Sequence, residues 1–407
     1  MVAPTTLPGR AFSGVNRVSD LLFHWNARSF SLDAITGQAG TFARSSVGGL
    51  VQGTGLEHDL DTDNQLRLVG PASDGVPRWE WVQDENSLWV PALRLEGART
   101  NLALRSETMG TTWSATNVTV ASDSAWAPNG KTTADTLTAS AGNGTLIQDL
   151  GVLGSAAYTF SIWLKRLTGS GNIDLTLDNG ATWTTKTITS EWAQYSITQT
   201  LANPDCGVRI VTSGDAVYAW GGQAEAGAFL SSYVPTAAST VTRAAESLRW
   251  TNNSAVQPIT AYVKFKEQGS VVNNAALFHI GAGGIGADPR FQIQAQSGTR
   301  YKGTYDDGIA GAATTSPISG PSIGNVVEAR FTLTAAGVAQ LFLSINGGAE
   351  LVGPAAAERS IPASGWGGTI LTINQLGTSG SAIGFNSFIA AKIAPGVRTM
   401  DYMRQAF

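Results

Sequence analysis

Apolar and polar residues alternate along "YTFSIWLKRL", residues 158–167, putting Tyr158, Phe160, Ile162 and Leu164 on one face. A period of two over that length predicts a half-buried β-strand. The same period runs through "ITAYVKFKE" (259–267), "RFQIQAQ" (290–296) and "RWEW" (78–81). "EARFTLTAAGVAQLFLSINGG" (328–348) reads as two strands with a turn at Asn346-Gly347, and Asn179-Gly180 separates two further strand-like runs. Asn-Gly tolerates positive φ at both positions, which suits turns between antiparallel strands. "EWAQYSITQTL", "CGVRIVTSG", "AVYAWGGQAEAG", "TILTINQLG" and "FNSFIAAKIAP" supply more strands. The helical period is convincing only in "VRTMDYMRQAF" at the C-terminus.

These elements predict an all-β protein of two β-sandwiches, of jelly-roll and concanavalin A-like type, preceded by an irregular β-rich segment. The expected boundaries are 1–105 for the irregular segment, 106–245 for the first sandwich and 246–407 for the second. Composition supports this: charged residues are only 14% of the chain and 47 of 407 residues are glycine, poor helix material but suited to strands and tight turns.

Charge and cysteine usage remove several function classes. The formal net charge is −4, and no cationic run exceeds pairs such as Lys165-Arg166, so nucleic-acid binding is not expected. No apolar run reaches the roughly 18 residues of a membrane helix, and the N-terminus lacks a signal-peptide pattern, so no membrane insertion and synthesis in a cytoplasm are expected. Cys206 is the single cysteine and cannot form an intrachain disulfide.

Catalytic and cofactor motifs fail on context. "GAGGIG" (281–286) fits the dinucleotide fingerprint literally, but Asp288-Pro289 and a strand follow where a helix should open, so it reads as a loop. There is no G-x-S-x-G elbow. Asp306-Asp307-Gly308 reads as a turn rather than a hydrolytic carboxylate pair. Asp59, Asp61 and Asp63 have the spacing of a calcium loop, but Asn64 and Gly70 stand where such a loop needs Gly and Glu, so an acidic turn is expected and no cofactor. His24, His58 and His279 lack zinc-ligand spacing, and His279, flanked by Phe278 and Ile280, is expected to be a satisfied strand residue. Among the twelve tryptophans, Trp163 and Trp220 lie mid-strand and are expected in the core. Trp126, Trp183, Trp192 and Trp366 lie near turns, where an exposed indole could stack on a sugar ring.

The charged stretch "ALRLEGARTNLALRSE" (92–107) interrupts this pattern. Gly97 and the local bonding of Thr100 and Asn101 disfavour a helix there. Glu96 and Arg99 are expected to be partly buried and bonded to backbone or to each other. "VTRAAE" (241–246) is expected beside them, so that Glu96, Arg99, Asn101 and Arg243 pin a junction between domains.

"LRLEGARTNLALRSE" resembles the L-x-E-x-A-R-T-N-L-x-x-x-S-E signature of many tailed-bacteriophage virion proteins. "YTFSIWLKR", "EWAQYSIT" and "YAWGGQAEAGAFLSSYVPT", with Trp220, Gln223, Glu225, Gly227, Tyr233 and Pro235, resemble the carbohydrate-binding-module-like jelly roll that follows it in those proteins. The last segment is similar, by strand pattern, to concanavalin A-like and laminin-G-like sandwiches. The resemblance implies a non-enzymatic structural protein on the surface of a tailed-phage particle, as tail fibre, tail accessory or capsid decoration. Its partners would be other virion proteins, further copies of itself and host cell-surface carbohydrate. A glycan-binding adhesin is the alternative. A polysaccharide depolymerase is the less favoured third, since the clustered acidic strand of concanavalin A-like glucanases is absent.

Overall fold

A computed structural model describes residues 77–251 continuously, and outside that stretch 23–27, 34, 39–43, 51–52, 68–69, 258–269, 275–281, 290–296, 300–306, 312–319, 322–356, 370–373 and 385–405. The described residues are nearly all β-strand, with one short helix, Met400–Gln405. None of their helices is long and apolar enough to cross a membrane.

One sandwich holds two five-stranded antiparallel sheets. The first runs in the order Ala193–Leu201, Ala156–Thr168, Ala216–Ala226, Ala134–Ala139, Val118–Ala125. The second runs Thr184–Lys186, Ile173–Thr176, Asp205–Ile210, Gly144–Asp149, Ser114–Thr116. Alternation decides which side chains meet between them: Phe160, Ile162 and Leu164 pack with Leu137, Leu175, Val208 and Val217, all buried. The Asn179-Gly180 dipeptide lies in the connection from Ile173–Thr176 to Thr184–Lys186 with both φ angles positive, at 57° and 79°.

The other sandwich holds two eight-stranded sheets. In one, the order is Leu351–Val352, Ala339–Ile345, Val326–Leu333, Ile259–Glu267, Phe385–Pro395, Trp89–Glu96, Arg78–Gln83, with Phe23–Asn26 also paired to Phe385–Pro395. The other follows the path Thr41–Ala43, Ser247–Thr251, Ile370–Ile373, Ala276–Gly281, Arg290–Gln296, Arg300–Asp306, Ala313–Thr314, with Ile318–Ser319 on Arg300–Asp306. Their inner faces bury Val263, Phe265, Ile293 and Leu343, and Phe291 stacks on Phe331 with ring centroids 4.4 Å apart.

This pairing changes the expected domain plan. Strands from the first 105 residues are integral to the C-terminal sandwich: Phe385 pairs with Glu96 and Phe388 with Leu93, and Leu93 and Leu95 are fully buried. The free edge of Phe385–Pro395 needs a hydrogen-bonding partner, and the chain supplies it from nearly 300 positions upstream. The five-stranded sandwich is therefore an insertion. The chain enters it through Arg99–Asn101 and leaves through Val241–Arg243, and these two strands pair as an antiparallel neck.

Candidate functional site

At the neck, Arg99 faces Arg243, Thr100 faces Thr242 and Asn101 faces Val241. The Thr100 and Thr242 hydroxyls lie 2.7 Å apart. Asn101 is buried with every polar group engaged. Its amide nitrogen donates to the carbonyls of Gly222 (3.1 Å) and Val234 (2.8 Å), and its oxygen accepts from the backbone amides of Ala103 (3.0 Å) and Ala224 (3.1 Å). Arg99 donates to the Ala226 carbonyl at 2.6 Å, lies 3.4 Å from Glu225, and covers the Phe229 ring at 4.6 Å. Gly227, at φ 138°, permits this: a Cβ there would meet the Arg99 guanidinium at 2.5 Å.

Beside the neck lies a buried ion network joining the two sandwiches. Arg78 donates from Nε to Glu246 at 2.7 Å, from Nη2 to Glu96 at 2.8 Å and from Nη1 to the Ser232 hydroxyl at 2.5 Å. Arg243 donates to the Gly97 carbonyl at 2.8 Å and lies 3.5 Å from Glu96. Glu96 also accepts from the backbone amide of Ser232 at 3.1 Å and from its hydroxyl at 2.6 Å. Burial alone would raise the Glu96 pKa, but the Arg243, Arg78 and Arg94 guanidiniums and the Ser232 hydroxyl hold it well below the usual carboxylate range. Glu225, with its partners at Ser231, Arg99 and Gln223, is instead pushed up by burial.

Ser232 belongs to a segment that folds back over half of the sheet face turned away from the core. Cross-strand rows on that face are Thr198–Thr159–Glu225, Ser196–Ser161–Gln223 and Gln194–Trp163–Trp220. The segment covers the last member of each row. Ser231 donates twice to Glu225, the Val234 amide donates to Gln223, and Tyr233 packs on Trp220 with centroids 4.7 Å apart. The other half of the face floors a cleft of about 470 Å³ lined by Thr159, Trp163, Gln194, Ser196 and Thr198. Residues 228–233 form one wall, and Arg94, Gln268 and Ile323 of the larger sandwich form the other. The Trp163 indole N–H has no hydrogen-bond partner among the described residues.

Of the tryptophans proposed from turn positions, Trp126, Trp183 and Trp192 do not line this cleft. Trp192 is buried, donates to the Trp126 carbonyl at 3.2 Å and packs near Tyr218. Trp183 is half-buried, lies against Gly180 and carries the Arg209 guanidinium 4.6 Å above its ring. Trp126 is 62% exposed. Trp366 lies outside the described residues, as do Asp59, Asp61 and Asp63. Trp220 is fully buried, whereas Trp163, expected in the core, is partly exposed and lines the cleft. For Trp163 the missed signal was parity, since it shares its face with Thr159, Ser161 and Lys165, opposite Phe160 and Ile162, and a register shift between Ser161 and Trp163 sets Trp220 beside it.

Other nominated residues find plain surroundings. Among the described residues no group of three or more His, Cys, Asp or Glu side chains is placed to hold a metal. Gly281 ends one strand and Arg290 begins its antiparallel neighbour, with 282–289 outside the described residues. Asp306 pairs with Arg290 at 3.2 Å, and Asp307-Gly308 lies outside the description. His279 is a fully buried strand residue, but neither ring nitrogen has a partner among the described residues. Cys206 is buried, and burial pushes its thiol pKa up, away from the reactive thiolate.

No family model matches the chain, and no curated protein does. Among solved structures, the mouse laminin α1 chain, domains LG4-5, aligns over 62% of this chain and 86% of that one, with 9% identity and a TM-score of 0.24. A truncated AlyQ with CBM32 and alginate lyase domains aligns over 64% of this chain and 92% of that one, with 12% identity and a TM-score of 0.22. With likeness so partial, the β-sandwich class rests on the strand pairing itself.

Proposed function

We propose that this protein is a non-enzymatic binding protein that holds a glycan in the cleft beside Trp163. The composition of the cleft carries the proposal: one indole beside a row of hydroxyl and amide side chains on a sheet face. A sugar ring offers an apolar face to an aromatic side chain and a rim of hydroxyls to short polar ones. The volume falls within the range of small-ligand sites, and the walls are held by buried ion pairs, so little ordering is lost on binding. A glycan array probed with the full chain is expected to show binding. Trp163→Ala is expected to weaken it at least ten-fold while Trp183→Ala leaves it unchanged. A blank array at high protein concentration, or equal binding by Trp163→Ala, overturns the proposal.

A second reading places the protein on the surface of a tailed-phage particle as a structural component, with further copies of itself and other virion proteins as partners. What favours it is the position of the "ARTN" stretch. Arg99 and Asn101 fix the neck of the inserted sandwich, which is a structural task. Mass spectrometry of purified particles is the test, and absence of the chain from them sinks this reading.

A further inference from the structure

We infer that the cleft selects a carboxylated sugar, a uronate, with Arg94 as the residue that reads the carboxylate; this rests on the glycan-binding reading. Arg94 is the one charged side chain among the described residues lining the cleft. Its two carboxylate partners lie on the buried side: Glu80 at 3.0 Å and Glu96 at 3.9 Å, each at most 2% exposed, against 14% for Arg94. They orient the guanidinium and are themselves engaged elsewhere, Glu80 by the Ser387 hydroxyl and Glu96 by Arg78, Arg243 and Ser232. The carboxylates thus stand behind the cation, and the cation stands at the cleft.

The chemistry of the cation points the same way. A guanidinium carries donors alone, and a carboxylate accepts through both oxygens without donating. A guanidinium is the side chain best matched to that planar group. Thr198, Ser196 and Gln194 along the floor are left to meet ring hydroxyls.

Calorimetry with the full chain tests this, using oligogalacturonate and oligoglucuronate beside their carboxyl-reduced forms, which keep the ring and lose the charge. The expected result is at least ten-fold tighter binding of a uronate than of its reduced form, with that preference lost in Arg94→Gln. Arg94→Gln removes a partner from Glu80 and Glu96, so the comparison of ligands on the unaltered protein decides the matter even if the variant fails to fold. Equal binding of acid and reduced forms, abolished by Trp163→Ala, overturns the uronate assignment and leaves the glycan reading standing. Binding of neither form, together with a blank array, overturns both.

Discussion

Glu267 shows how one buried side chain sets a pH dependence. It is 1% exposed, accepts from the Tyr301 hydroxyl at 2.9 Å, and its second oxygen has no partner among the described residues. Burial pushes its pKa up to about 7, with the Tyr301 bond opposing. A carboxyl with a raised folded pKa is fully accommodated below its unfolded value and loses stability as pH rises through the folded one. Between about 4.5 and 7, the folded protein therefore weakens as pH increases. Glu267→Gln keeps an acceptor for Tyr301 and cannot ionise. By urea denaturation it is expected to match the parent at pH 5 and to exceed it by about 1–3 kcal/mol at pH 8. His279 acts in the opposite direction: burial, then Arg290, pushes it down to about 4, so its contribution is lost on acidification below its ordinary value of about 6.5. Identical behaviour of Glu267→Gln and parent at both pH values would refute this account of Glu267.

Among the elements, the neck ribbon carries the most consequence for its length. Only three residues pair on each side, yet Asn101 makes four hydrogen bonds there that reach Gly222, Val234, Ala103 and Ala224. Asn101→Ala strands buried donors and acceptors, at about 1–3 kcal/mol for each group left unpaired. A loss of about 3 kcal/mol or more in thermal or urea unfolding is expected, and a loss below 1 kcal/mol would contradict the assigned role. Strands with strict alternation, such as Ala156–Thr168 and Arg290–Gln296, were legible in the sequence because period two is a local signal. So were the Asn-Gly turns. The pairing of Trp89–Glu96 with Phe385–Pro395 was not, since neither strand states which distant edge it completes. Trp163 was misplaced for a different reason. Its aromatic type suggested the core, although the alternation that sets Phe160, Ile162 and Leu164 inward already turns it to the opposite face.

At the scale of the whole molecule, one sandwich is inserted into the other and the two are joined by buried charge. "ALRLEGARTNLALRSE" stood out because charge is scarce in this chain. The sequence could nominate Glu96 and Arg243, but not Arg78 or Ser232, which arrive from elsewhere in the chain. Breaking a buried ion pair by removing one partner costs about 3–5 kcal/mol, because the other charge stays buried. Arg78→Met leaves Glu96 and Glu246 short of a cation and removes one hydrogen bond to the Ser232 hydroxyl of the smaller sandwich. Calorimetry is expected to show one cooperative transition for the parent and two separated transitions for Arg78→Met. An unchanged single transition would mean that the network does not couple the sandwiches.

The cleft lies on that seam, so its function depends on both halves being in place. The most direct measurement is a crystal structure of the full chain with the best-binding array glycan. The account predicts a sugar ring against the Trp163 indole, within hydrogen-bonding reach of Gln194, Ser196 or Thr198. Sugar density at Trp126 or Trp183 with the cleft vacant would contradict it.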